Sequence, residues 1–386
     1  MKVPAVAIYG SGPAALMAAS ELSRFPLRIT LFERRPSLGR KLLIAGSSGL
    51  NISHDTGLDD FISHYQGFTP EVWRRFFAIF SPQDWIRFVE GLGLETFVGT
   101  SNRYFVREMK ASGLLRAWRS HLEGRGVEIV VQHEWRGFEE LMRFDASGLF
   151  LGGGSWEEES PRWPAIMAEA GVSVRPFHPK NVGYEVAWSR AFLAEAEGKP
   201  LKNMVLKNAK GEKAGELVIT RYGLEGTPVY FLGEKGPAIL DLKPSMSEGE
   251  ILRRVSRFSE NLSPIRRVKR GLSLGEAAMA LLYHHTDGAV RSDLGALVRM
   301  IKAFPIEFSS PRPLAEAISS AGGIDLSEVS TEPGRELALK RFKGVFVGGE
   351  MLDWTAPTGG FLIQGAVTQG AVAAQSLLHF LGKVHP

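Results

Sequence analysis

Residues 3–33 read VPAVAIYGSGPAALMAASELSRFPLRITLFE. The apolar run 3–9 has strand length and breaks into Gly10-Ser11-Gly12-Pro13-Ala14-Ala15, ahead of a small-residue helical stretch, 16–22. A second apolar run, 27–32, ends on Glu33. Strand, glycine turn, helix, strand and acid in this order make a βαβ unit with a dinucleotide-binding fingerprint. Gly10 permits the tight turn. Gly12 lets the backbone approach a pyrophosphate, at a backbone angle expected to disfavour a side chain. Ala15 takes the third glycine place, where a small residue lets helix and strand pack closely. The helix N-terminus offers the phosphates free N–H groups and a partial positive charge. Glu33, 23 residues after Gly10, is placed to accept from ribose hydroxyls. An ordinary βα turn would leave that acid unexplained.

The chain of 386 residues is long enough for two domains, and its 44% apolar and 23% charged residues are those of a globular protein with a large core. A net charge of +4 is too small to dictate a nucleic-acid partner. No apolar run reaches the ~18 residues of a membrane span, and the first strand begins at once, so neither a span nor a cleavable signal is expected. These point to a cytoplasmic protein. The sequence has no cysteine. That excludes disulfides, thiolate metal sites, iron–sulfur clusters, cysteine nucleophiles and dithiol redox pairs. No metal site is expected.

Downstream, 44–54 (IAGSSGLNISH) is a Gly/Ser/Asn loop, with Gly46 and Asn51 placed to present backbone to a cofactor. Residues 69–92 predict two helices; Ser81-Pro82-Gln83-Asp84 starts the second, and Trp85, Phe88, Val89 and Leu92 form its core face. A helix is expected over 114–122, with strands at 127–131, 141–144 and 149–151 before Gly152-Gly153-Gly154. From 184 to 322 the pattern changes to short alternating runs such as 216–219 and 229–232, then to helices opened by the capping boxes Ser247/Glu250 and Ser273/Glu276. The α/β pattern resumes with the strand 344–347, the turn Gly348-Gly349-Glu350, Asp353, the loop ending Gly359-Gly360, and a helix over 362–381. A Gly-Gly that opens a helix lets its positive end approach a ligand. The expected organisation is therefore 1–183 and 323–386 as one split domain, with 184–322 inserted.

The acid followed by Arg34-Arg35-Pro36-Ser37-Leu38-Gly39-Arg40-Lys41 resembles flavoproteins of the glutathione-reductase superfamily, whose corresponding loop runs along FAD. The stretches GSGPAALMAA, ERRPSLGRKLLIAGSSGLNISH, NRYF, LGGGSW, RYGLEGTPV, AGGIDLSEV and GGEMLDWTAPTGGFLIQGAVTQG span the chain in order. Through them the chain resembles the BaiN/YhiN-like, aminoacetone-oxidase-type FAD-binding family. The resemblance implies an α/β fold: a split Rossmann-like FAD-binding domain with an inserted β-barrel and helical domain. It implies noncovalent FAD held by Gly10, Gly12, Pro13, Ala14, Glu33, Arg34, Arg40, Lys41, Leu42, the backbone of Trp135, Gly153, Gly349, Glu350, Asp353, Gly359, Gly360, Phe361 and Leu362. The family usually has Gly-Gly-Gly-Arg-Cys-Asn where this chain has Gly46-Ser47-Ser48-Gly49-Leu50-Asn51. Its Arg and Cys would lie near the flavin, so this is a divergent subfamily whose substrate does not carry over.

The function expected is hydride transfer between a small-molecule substrate and FAD. No second G-x-G-x-x-G follows a strand, so the electron partner is oxygen or a transiently bound NAD(P)H. His54, Arg103 and His284 are the acid–base candidates. The alternative is a nucleic-acid (tRNA)-modifying or -binding flavoprotein that uses Arg253, Arg254, Arg257 and Arg266-Arg267-Val268-Lys269-Arg270 of the insert. The substrate and the oligomeric state are not written in the sequence.

Overall fold

The computed structural model describes residues 3–46, 49–99, 101–156 and 161–384; Ser47 and Ser48 of the Gly/Ser/Asn loop lie outside them. The first unit comprises Met1–His178 and Ile318–Pro386, the second Pro179–Ala317. These divisions fall slightly before the expected boundaries at 183/184 and 322/323. Strands Val174–Lys180 and Ser319–Ile324 pair as a two-stranded sheet, and the amides of Ser320 and Gly322 bond to Glu350 and Asp353. Residues 318–322 thus belong with the first unit.

The first unit is built on a five-stranded parallel sheet ordered Val345–Val347, Ala146–Leu149, Ala5–Tyr9 (β1), Arg28–Glu33 (β2) and Glu128–Val131. Every residue of β1 is buried, so it reads as a continuous apolar run. Helix α1 (Pro13–Leu22) links β1 to β2. The C-terminal helix Phe361–Phe380 packs against α1, and a Cβ on Gly370 would lie 2.2 Å from the Ala14 carbonyl oxygen. Ser81 caps Pro82–Gly91 with a full capping box to Asp84, and Trp85 and Val89 of that helix are fully buried, as expected. No helix among the described residues is long and apolar enough to cross a membrane.

The second unit has its own core around a six-stranded antiparallel sheet. Its edge strands are Phe304–Phe308 and Tyr184–Glu185. Glu185 bonds through its backbone to Ser309 and Ser310, the residues just after Phe308, so the sheet curls until its two edges meet.

Several local expectations are corrected. Residues 141–144 lie largely in the 3₁₀ helix Phe138–Arg143, and the strand after it is Ala146–Leu149 rather than 149–151. Residues 229–232 belong to the helix Thr227–Leu232: Val229 and Leu232, three apart, are buried while Phe231 is exposed, a helical and not a strand pattern. Ser247 and Glu250 form the predicted capping box. Ser273 does not: it ends the preceding helix in the left-handed region at φ 47°, and Gly275 is the N-cap of Glu276–His284. The predicted 114–122 helix runs over Ala111–Gly124.

Candidate cofactor and active site

The chain leaves β1 at Gly10, whose φ is 105° and whose added Cβ would sit 2.1 Å from the Phe150 carbonyl oxygen. Only glycine fits there. Gly12 is different. As N-cap of α1 it has φ −73° and ψ 175°, extended backbone that any residue adopts, so the conformational reason for glycine is corrected. What the structure shows there is open space: a Cβ on Gly12 meets no atom of the described residues within 4 Å. Pro13 occupies the first helical position and no described side chain caps the helix, which leaves its first-turn amides without a side-chain partner. At the end of β2, Glu33 is buried. Its carboxylate accepts from the Ser11 hydroxyl and, at 2.6 Å, from the Arg35 amide. Ser11 in turn accepts from the Gly39 amide at 3.0 Å, which fixes the loop carrying Arg40 and Lys41 to the glycine turn. Two accepted bonds leave the carboxylate capacity for a ribose.

A second group of sites gathers around the turn after Val347. The Lys41 ammonium donates to the Gly153 carbonyl at 2.7 Å. A Cβ on Gly153 would lie 2.2 Å from the Ser320 hydroxyl oxygen, which accepts from the Gly154 amide. The Ser320 amide donates to Glu350 at 3.1 Å. Desolvation raises the Glu350 carboxyl above its ordinary range, against the Lys41 charge and the hydrogen bond from the Ser320 amide. Gly349 has φ 72°, and its added Cβ would approach the Ala14 methyl at 3.1 Å. Its amide donates to the buried Gln369 carboxamide at 2.8 Å. Asp353 accepts from the Gly322 amide at 2.9 Å and lies 3.2 Å from the Arg175 guanidinium, so it braces the turn. Both ends of the first unit therefore meet at α1.

The third group surrounds the N-terminus of the C-terminal helix. Gly359 and Gly360 have φ 109° and 97°, and an added Cβ on Gly360 would lie 2.5 Å from the Ser53 carbonyl oxygen. Strand Asn51–His54 pairs antiparallel with Arg103–Val106, with His54 opposite Arg103. The Phe361 ring stacks on His54 at 5.0 Å and on His64 at 4.4 Å, and its carbonyl accepts from Tyr65 at 2.7 Å. An added Cβ on Gly359 would lie 3.3 Å from Arg103 Nε. Burial, then the Arg103 charge, lowers the His54 pKa, and burial lowers that of Arg103. His54 Nδ1 is buried without a hydrogen-bond partner among the described residues. Underneath, Ser53 donates to Gln364, Gln364 to Thr368 and Thr368 to the Phe80 carbonyl, all buried.

Other expected residues lie along these groups or outside them. Arg34 is half-buried and Arg40 exposed; Asn51 and Leu362 are half-buried. Leu42 is core, and Gly46 is closed by Ala111, 2.6 Å from its added Cβ. Trp135 is buried, with its indole N–H unpartnered among the described residues. Leu50 packs in the core, so its side chain is structural. His284 belongs to the second unit, 3.1 Å from Glu195. Ser11, Ser320, Gln364 and Gln369 were not expected. The signal for the two glutamines is their place inside an otherwise apolar helix.

The open space before α1, the buried carboxylate of Glu33 and the glycine-lined turns at Gly153 and Gly349 fit an FAD. Fold and site together define a Rossmann-type, FAD-dependent oxidoreductase. The chain belongs to the family described as the HI0933-like protein Rossmann domain, whose model matches residues 4–376. A 3-dehydro-bile acid delta(4,6)-reductase from Clostridium scindens is 22% identical, the alignment covering 96% of this chain and 98% of that one. A ribosomal RNA dihydrouridine synthase from Haemophilus influenzae is 21% identical, covering 96% and 97%. Among solved structures, a 3-ketosteroid-delta4-(5alpha)-dehydrogenase from Rhodococcus jostii in complex with 4-androstene-3,17-dione aligns with TM-score 0.50 and 11% identity over 96% of each chain, a likeness of fold.

Proposed function

We propose that the protein is a cytoplasmic reductase that takes electrons from a transiently bound NAD(P)H through noncovalent FAD to an unsaturated small molecule. The observation that carries this is the meeting of the chain's two ends at α1, where Gly12 leaves open space and Gly349 closes on Ala14. The two relatives named above are a reductase and a dihydrouridine synthase, names for adding hydrogen, which favours a reductase over an oxidase that hands electrons to oxygen.

In this reading the amides of Pro13's helix turn and Ala14 hold the pyrophosphate, and Glu33 takes the ribose. Arg34, Arg40 and Lys41 supply positive charge, while Leu42, Gly46, Asn51 and the Trp135 backbone flank the cofactor. Gly153, Gly349, Glu350 and Asp353 form the opposite wall. Bound FAD supplies the two-electron chemistry. The uncapped helix end at Gly359, Gly360, Phe361 and Leu362 favours negative charge beside it. Arg103 stays charged and orients an anionic or carbonyl group of the substrate. His54, with its lowered pKa, is neutral at pH 7 and positions Phe361 by stacking. Anaerobic mixing with NADPH or NADH tests the donor: bleaching of the flavin absorbance is expected. An oxidised spectrum that persists with both nucleotides refutes it.

A second reading places the unsaturated substrate in RNA. It is favoured by the relative named as a ribosomal RNA dihydrouridine synthase and by the basic helices of the second unit.

A further inference from the structure

Residues 251–272 carry seven cations and one carboxylate, Glu260, although the whole chain is only +4. The rest of the chain is thus net negative, and the excess positive charge is local. It lies on two helices of the second unit, Glu248–Val255 and Pro264–Leu272, which pack together.

Their apolar positions, Ile251, Val255, Val268 and Leu272, point into the core. This leaves Arg253, Arg254 and Arg257 exposed on or just beyond the first helix, and Arg266, Lys269 and Arg270 exposed on the second. On the second helix the three- and four-residue spacings set Arg266, Lys269 and Arg270 about 5–6 Å apart along one face, and Arg257 directly follows the end of the first helix after Arg253 and Arg254. Arg267 donates from Nε to the Val255 carbonyl at 3.1 Å and ties the second helix to the end of the first. The two stripes therefore stand side by side. None of the six exposed cations makes a hydrogen bond or ion pair among the described residues. Few acids offset them: Glu250, near Arg253, is held in the capping box with Ser247, Glu276, near Lys269, is paired with Lys199, and Glu260 lies in the loop between the helices, so the cations outnumber the carboxylates.

We infer that these two stripes form a docking surface for the phosphate backbone of RNA; this rests on the second reading of the substrate. Five of the six groups are arginines, whose planar forks suit phosphate oxygens. Neither helix carries an aromatic residue, so the surface offers charge rather than base stacking. It suits recognition by backbone and shape, which is how proteins read RNA duplexes. An anionic membrane would call for an exposed apolar flank, and Leu252 is the one large hydrophobic residue exposed on these two helices.

The test uses the full-length flavoprotein and a ribosomal RNA fragment in gel-shift titrations at several salt concentrations. The wild type should bind with a log–log salt slope of several units. The triple variant Arg257→Glu, Arg266→Glu, Arg270→Glu should bind at least tenfold more weakly, with a shallower slope and unchanged FAD content and melting temperature. The neutral set Arg257→Gln, Arg266→Gln, Arg270→Gln should fall between and guards against misfolding of the reversed charges. RNA binding that survives both variants removes this surface but leaves the RNA reading standing. No RNA binding by the wild type removes both. Tighter binding to duplex DNA of the same length, or to phosphatidylserine vesicles, overturns the assignment to RNA.

Discussion

Gly12→Val separates cofactor binding from folding. The residue has φ −73° and ψ 175°, and an added Cβ meets no described atom within 4 Å. The fold therefore offers no clash. Valine is a poor N-cap, which costs about 1 kcal/mol, partly offset by about 0.4–1 kcal/mol from a stiffer unfolded chain. The apo protein should melt within a few degrees of wild type. The cofactor loses far more, because the branched side chain fills the space before the helix amides. Losing two charge-assisted hydrogen bonds of about 1.5–3 kcal/mol each weakens FAD binding roughly 10²- to 10⁴-fold. Gly10→Ala should do the reverse damage: at φ 105°, with its Cβ 2.1 Å from the Phe150 carbonyl oxygen, it must move backbone. That should destabilise the apo fold by about 2–5 kcal/mol. Thermal melts of the apo proteins and FAD titrations by flavin fluorescence give both numbers. Gly12→Val that keeps wild-type FAD affinity, or that unfolds without FAD, refutes the reasoning.

Gln364→Leu leaves the Ser53 hydroxyl without its buried acceptor, and should cost about 1–3 kcal/mol in denaturant unfolding. Combined with Thr368→Val the losses should be non-additive; strict additivity would break the proposed chain. His54 has its pKa lowered in the fold, so its contribution to stability is complete above its ordinary value of 6.5 and is lost as pH falls through that value toward the folded one. His54→Gln should thus lose less stability than wild type between neutral pH and pH ~5; equal losses refute the assignment. Replacing 179–317 by a short Gly/Ser linker between the paired strands should leave a folded protein that keeps FAD but not turnover. Loss of FAD from a folded truncation would put the insert in the cofactor site.

The βαβ start was legible because each of its parts obeys local physics: a buried strand, a tight glycine turn, a helix opened by Pro13 and an acid ending a strand. The C-terminal glycine turn and helix were legible for the same reason. What local pattern could not supply was long-range partnership. Ser320 reaches Gly154 and Glu350 from a strand distant in sequence, and Gln369 holds Gly349 across the helix. Where two local signals competed, the sequence misled. Val229-Tyr230-Phe231-Leu232 has strand propensity, but Pro228 and the burial of Val229 with Leu232 make it a helix. Ser273 has the spacing of a cap, but the preceding helix claims it as its left-handed end. Gly12 was wrongly read as a strained angle, and the open space beside it is the feature its proposed role rests on.

The most direct measurement is the cofactor content of the purified protein. Its visible spectrum should be that of an oxidised flavin, and acid or heat should release FAD at about one per chain, as the proposed noncovalent site requires. A colourless protein that cannot be reconstituted with FAD, although folded by its melting curve, would contradict the account.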